Sequence, residues 1–236
     1  MNTPQEIRAF LAKLSQEQKV ALFEELRVHV DVHRFERTLN AKAEVILEAL
    51  ARASDLTIRG VRGIVGEATF ALEILPKLKN WRDITPPGNH SFDYLVSDSA
   101  GKVSLQVKMQ RRLKQLPWIR NGMAVVEVQR TRTGELDGQA TRPYSFGTFD
   151  ILAVCMEPST GRWNSFLYIP EKWLLCRKEN QELIETLQPV PLNPDAIWTD
   201  DFEVSVRRFR SNLPRPESTG SGSIVTGDDG LLLIQE

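Results

Sequence analysis

The stretch from Phe92 to Arg112 constrains the fold more than any other. Two apolar runs, Phe92-Asp93-Tyr94-Leu95-Val96 and Val103-Ser104-Leu105-Gln106-Val107-Lys108, flank a Ser/Asp/Gly cluster from Ser97 to Gly101. That order predicts a β-hairpin. In the second run Val103, Leu105 and Val107 alternate with Ser104, Gln106 and Lys108. Period-two alternation sends the apolar three to one sheet face and the polar three to the other. Gln106 and Lys108 then project side by side, and Asp93 on the partner strand is placed to reach the same face. A carboxylate, an amide oxygen and an ammonium would share one small volume. Such a group suits phosphodiester hydrolysis. Asp93 offers a hard oxygen ligand for a divalent ion such as Mg²⁺, and Gln106 a second, neutral one. Lys108 offers charge to the phosphorane, or orients and deprotonates the attacking water.

Asp93, a hairpin and then Gln106-Val107-Lys108 resemble the PD-(D/E)XK nuclease superfamily, also called the restriction-endonuclease-like fold. Two positions depart from its pattern. Phe92 stands where a proline often lies, and Gln106 replaces the usual Asp or Glu. The second departure removes one negative charge from the implied metal site. The resemblance also implies a glutamate on the helix preceding the Asp strand. Glu67, after Gly60-Val61-Arg62-Gly63-Ile64-Val65-Gly66, takes that place, with Glu73 as a competitor. The run Ala68–Leu75 is expected to be the helix, stopped by Pro76, with the small residues before it allowing close packing on a sheet. The implied catalytic set is Asp93, Gln106, Lys108 and Glu67. The implied metal set is Asp93, Gln106 and Glu67, with Mg²⁺ as the ion and Mn²⁺ as a substitute.

The chain turns basic directly after this hairpin. Between residues 102 and 132 stand Lys102, Lys108, Arg111, Arg112, Lys114, Arg120, Arg130 and Arg132 against one acid, Glu127. The whole chain carries a formal net charge of −1, so this asymmetry is local. A basic surface beside a metal site is the electrostatic footprint of a partner with a phosphate backbone. Gln110, Arg111, Arg112, Lys114, Arg120, Arg130 and Arg132 are the candidate DNA contacts.

Elsewhere the sequence speaks of architecture. With 236 residues, 41% hydrophobic and 26% charged, the chain has ample material for a buried core. Thr3-Pro4-Gln5-Glu6 is a capping box with Pro at the first helical position. Ser15-Gln16-Glu17-Gln18 restarts a helix, and Ile46, Leu47 and Leu50 mark a third. These helices are expected to form a cap or a dimerisation arm; a DNA-reading helix-turn-helix is the alternative. His29 and His33 lie one turn apart with no third ligand nearby, so they read as ordinary surface histidines. His90 reads as a loop residue and Asp150 as a structural residue at a strand start. Cys155 and Cys176 sit in apolar settings and read as buried free thiols. Further strands are expected at Ala124–Gln129, Phe149–Met156 and Trp163–Ile169, the last two joined as a hairpin through Pro158–Gly161. A late strand is expected at Phe202–Val206. Pro214 to Gly230, rich in Pro, Ser, Gly and Thr, is expected to lack order.

The expected architecture is α/β, a mixed central β-sheet flanked by helices (restriction-endonuclease-like) with an N-terminal helical addition. Its parts are a helical region at 1–55, a nuclease-like domain at 56–213 and a disordered tail at 214–236. The implied function is Mg²⁺-dependent endonucleolytic hydrolysis of double-stranded DNA, with a type II restriction endonuclease as the sub-class. A transposon-end or repair nuclease, or a DNA-binding module of the same fold without cleavage, is the alternative. The resemblance further implies a homodimer, a cognate DNA methyltransferase encoded nearby, a cytoplasmic location and no membrane association.

Overall fold

A computed structural model describes residues 3–30, 33, 35–130, 135–136, 139–140, 143–217, 223–226 and 232–235. The chain divides into two compact units, Met1–Arg59 and Gly60–Glu236.

The first unit is helical. α1 (Pro4–Lys13) and α2 (Gln16–His29) each open with a full capping box, Thr3 with Glu6 and Ser15 with Gln18. The side chain of each cap accepts from the third helical N–H, and the Glu or Gln side chain returns to the cap's own N–H. α3 (Phe35–Leu39) and α4 (Ala43–Ala51) follow. Among its described residues this unit buries an ion pair: Arg27 and Glu36 meet at 2.9 Å, and Arg27 also reaches Glu44 at 2.7 Å.

α5 (Asp55–Thr69) runs straight through Gly60, Gly63 and Gly66. The glycines expected to precede a helix therefore lie inside one. At Gly66 a Cβ would stand 3.7 Å from Cys155 Cβ, ordinary packing contact, and at Gly60 and Gly63 it would meet nothing within 4 Å. The helix then widens into a π-turn at Phe70–Ile74 and tightens into a 3₁₀ turn at Leu75–Lys77, with Pro76 inside it.

The central sheet has five strands. β1 (Arg82–Asp83), β2 (Tyr94–Asp98) and β3 (Gly101–Met109) are antiparallel neighbours. Beside β3 lies β10 (Ile151–Cys155), parallel to it, and then β11 (Phe166–Pro170), antiparallel to β10. The sheet is thus mixed, as expected. A parallel pair cannot be joined by a tight turn. The crossover from β3 to β10 carries the ribbon β4 (Arg112–Leu113) with β5 (Leu116–Pro117). It also carries β6 (Ile119–Arg120) and β7 (Met123–Glu127). β7 pairs in addition with β12 (Leu187–Val190), making a second, three-stranded sheet. A short pair, β8 (Glu135–Leu136) with β9 (Gln139–Ala140), completes the crossover.

Each face of the central sheet has its own core. On one face Val103, Leu105, Val107, Ile151, Ala153 and Cys155 pack under Phe70 of the π-turn and Phe202 and Val206 of α7 (Phe202–Arg210). On the other, Leu152, Val154 and Met156 pack with Ala124 and Val126 of the second sheet, Tyr144 and Trp173.

Several expectations are corrected. Phe202–Val206 is helical, not a strand: Asp201 caps α7 by accepting from Val204 N–H at 3.0 Å, and Phe202 and Val206 stand at helical spacing on the sheet. Pro158 to Gly161 is no simple hairpin turn. Glu157–Thr160 forms one helical turn, α6, which Gly161 closes at φ +67°. Cys176 is exposed; Cys155 is buried, with burial pushing its thiol up to about 11. Near the C-terminal end, β13 (Ser223–Thr226) pairs with β14 (Leu232–Gln235). Among the described residues no helix is long and apolar enough to cross a membrane.

Candidate functional site

Strand pairing assembles the site. Asp93 precedes β2, and its N–H still donates to Leu105 C=O at 2.9 Å, so the residue is held as if in the ladder. Tyr94 stands opposite Leu105 in register. Asp93 thereby falls on the face of Gln106, and its Oδ2 accepts from Gln106 Nε2 and from Val107 N–H at 2.7 Å. Both bonds use the same oxygen, so neither engages Oδ1. Lys108 follows on the same strand face, close enough for its charge to act on Asp93. Asp93, Gln106 and Lys108, separated by a turn in sequence, are therefore brought together.

Glu67 arrives from α5. Tyr94 locks that helix to the hairpin: its hydroxyl donates to Glu67 C=O at 2.7 Å, and its ring lies 5.4 Å from that of Phe70. Glu73, the competitor, is exposed on the π-turn. Burial, then the Asp93 charge, push Glu67 up to about 7, against the lowering influence of Lys108. Burial also raises Asp93, opposed by Lys108 and by its two hydrogen bonds. Burial lowers Lys108, opposed by Asp93, Glu67 and Glu127. Two half-buried carboxylates thus face one half-buried ammonium.

Tyr144 belongs here as well. It is 5% exposed. Its hydroxyl donates to Gln106 Oε1 at 3.2 Å, and the ammonium of Lys108 and the guanidinium of Arg130 each lie 5.7 Å from its ring centre. Burial and the Asp93 charge push the phenol up to about 12. Glu127 is the second addition, acting on Lys108 through its charge while accepting from Arg111 and Gln129. A lone tyrosine and a lone glutamate outside any motif carry no signal from which either role is readable.

The remaining candidates disperse. Gln110 continues the face of Gln106 and Lys108 but is 2% exposed, and an amide so enclosed does not reach a nucleic acid. Arg111 is paired with Glu127 and lies over Trp118 at 5.3 Å. Arg112 grips Glu157 with bonds of 2.7 and 2.9 Å. Arg120 is partly buried, Lys114 and Arg130 are exposed, and Arg132 lies outside the described residues. His90 stacks on Phe92 at 5.3 Å with Nε2 3.0 Å from Pro86 O. Asp150 has a structural task, accepting from Ser104 N–H and Oγ at 2.7 and 2.8 Å where the parallel pair begins.

Among the described residues no three His, Cys, Asp or Glu side chains cluster as a metal-binding set. The carboxylate donors number two, Glu67 and Asp93. That set fits a hard divalent ion of the Mg²⁺ kind, which takes one or two carboxylates and fills its shell with water and substrate phosphate oxygens.

No family model matches the chain, and no curated protein matches it. Among solved structures, that of the bacterial homing endonuclease I-Ssp6803I is similar over 48% of this chain and 69% of that one, at 23% identity and a TM-score of 0.34. So loose a superposition carries no conclusion on its own. What the chain's own geometry defines is an α/β protein with a mixed central sheet flanked by helices, and a carboxylate–lysine cluster on one face of the hairpin.

Proposed function

We propose that this protein is a divalent-metal-dependent endonuclease acting on double-stranded DNA, of the PD-(D/E)XK type. The observation that carries the reading is the meeting of Glu67 and Asp93 with Lys108, from a helix and two strands, in one half-buried cluster. Glu67 and Asp93 would hold Mg²⁺, with Mn²⁺ as a substitute. A divalent ion held there supplies Lewis-acid charge against the phosphodiester oxygens. Lys108 has the surroundings of a proton acceptor. Burial holds its affinity for a proton below that of a free lysine, so its amine can take one from the attacking water. Once charged, it faces the phosphorane's negative oxygens. Arg130 and Lys114, both exposed, are the side chains best placed to meet the phosphate backbone.

A type II restriction endonuclease is the finer reading. Two strands to cut favour a two-fold homodimer, and a cognate methyltransferase encoded nearby would accompany it. A second reading, a DNA-binding module of this fold without cleavage, is favoured by the neutral Gln106 and by the two-carboxylate donor count.

Plasmid cleavage in Mg²⁺ or Mn²⁺ decides between them, with wild type run beside Asp93→Ala and Lys108→Ala. Discrete fragments that both variants lose support the nuclease. Intact plasmid throughout, with DNA still retarded on a gel, supports the binding module.

A further inference from the structure

We propose that Gln106 is a positioning residue for Asp93, not an oxygen ligand of the cation, and that Tyr144 holds it in that role. The inference rests on the cation site proposed above, and it revises the part that the superfamily resemblance gave to this residue.

The two ends of the Gln106 amide have different requirements. An ionised carboxylate only accepts, so the end of Gln106 that faces Asp93 must be the NH₂ group. Its oxygen then faces the opposite way, where the Tyr144 hydroxyl donates to it at 3.2 Å. Gln106 is 2% exposed, so neither end has water as an alternative partner. Turning the oxygen toward a cation would break both bonds at once. It would also leave a buried NH₂ group and a buried hydroxyl to be satisfied again.

Tyr144 is itself fixed. Its ring meets Phe149 edge-on at 5.5 Å and 89°. Lys108 and Arg130 both lie against it at 5.7 Å. One aromatic side chain therefore sets the Gln106 amide and contacts the cluster's lysine. The result is a directed carboxylate. Asp93 Oδ2 is occupied by Gln106 and by Val107 N–H, and neither bond uses Oδ1. The substitution that costs the site a negative charge thus supplies a donor that orients the charge that remains.

The test follows the Gln106 side-chain amide by NMR in the full ¹⁵N-labelled chain, assigned through its own backbone correlations, with Mg²⁺ as the probe. In the metal-free protein one NH₂ proton is expected downfield and slow to exchange, held by Asp93, and it should stay so on Mg²⁺ addition. An amide proton that moves to an unbonded shift when Mg²⁺ binds overturns the inference, because the oxygen has then turned to the ion. Tyr144→Phe keeps the ring and removes the hydroxyl. It is expected to displace the Gln106 signals and to weaken Mg²⁺ binding about tenfold, the scale of an outer-layer ligand partner. Unchanged signals with unchanged affinity in that variant also overturn it. The two readings fail separately. If wild type binds no Mg²⁺ near Glu67 and Asp93, the cation site falls and the proposed role falls with it. The metal-free amide signals still report whether the Tyr144–Gln106–Asp93 chain exists.

Discussion

The N–H of Val107 donates to Asp93 Oδ2 at 2.7 Å across the antiparallel pair of β2 and β3. The carboxylate is therefore held by main chain as well as by the Gln106 amide. An asparagine at this position keeps an oxygen for the same donor and loses the charge. Burial opposes that charge in the metal-free protein. Asp93→Asn is expected to leave the melting temperature unchanged or slightly raised, while DNA cleavage falls about 10³-fold, the scale of removing a charge that acts on the reacting centre. Thermal denaturation and single-turnover cleavage measure the two.

Glu67 carries the same trade in sharper form. Burial and Asp93 hold its carboxyl at about 7, so at pH 8 the folded chain keeps a charge it disfavours. Glu67→Gln is expected to stabilise the metal-free protein at pH 8 by about 1–2 kcal/mol, discounted for partial exposure. The rise in melting temperature that Mg²⁺ or Mn²⁺ gives the wild type should shrink or vanish in the variant, since stabilisation by a ligand follows its affinity. Differential scanning fluorimetry with and without metal reads both effects.

Gln110 offers a stability prediction free of the chemistry. It is 2% exposed, and neither its Nε2 nor its Oε1 has a hydrogen-bond partner. Burying such a group costs about 1–3 kcal/mol. Gln110→Met, of similar length, is expected to raise stability by about 1 kcal/mol and to leave DNA affinity unchanged. Chemical denaturation and a gel-shift titration check it; weaker DNA binding would return Gln110 to the interface.

Glu171 sets a pH dependence away from the site. It is 6% exposed and accepts from Gly147 N–H. Burial raises its carboxyl to about 7, opposed by that bond, assisted by Asp150, and opposed again by Thr148 N–H. A carboxyl raised on folding contributes stability that is full below its unfolded value and lost as pH climbs through about 7. Wild type should therefore weaken between about pH 4.5 and 7 relative to Glu171→Gln, by on the order of 3 kcal/mol at most. Urea denaturation across that range gives the curve.

The basic segment should divide into two kinds of residue. Lys114→Ala is expected to lower the salt dependence of DNA binding by about one counterion with little change in folding, and Arg130→Ala to lower it likewise while also removing the guanidinium from the Tyr144 ring. Arg112→Ala strands Glu157, which is held at 2.7 Å, and is expected to cost stability first. Binding titrations at several salt concentrations, beside melting curves, separate the two.

The hairpin was legible in the sequence because alternation in β3 is a local property: side chains at i and i+2 share a face whatever surrounds them. Capping boxes at Thr3 and Ser15 were legible for the same reason, since each closes within four residues. Phe202–Val206 misled because a short apolar-polar alternation serves a strand and a helix equally. The cap at Asp201 and packing on the sheet decided for the helix. Gly60, Gly63 and Gly66 misled because glycine only disfavours a helix interior, by about 1 kcal/mol each, and α5 runs on through all three.

By itself, then, the sequence determined that Asp93, Gln106 and Lys108 would share one face of a strand pair, a matter of backbone geometry alone. Only the tertiary structure placed Glu67 rather than Glu73 within reach of them, enclosed Gln110 and engaged Arg112 with Glu157. It alone set Tyr144 against Gln106, some 38 residues away in the chain. These choices depend on which distant segments pack across each face of the sheet, and on the burial that gives the charges there their strength. Periodicity within a strand carries information about neither.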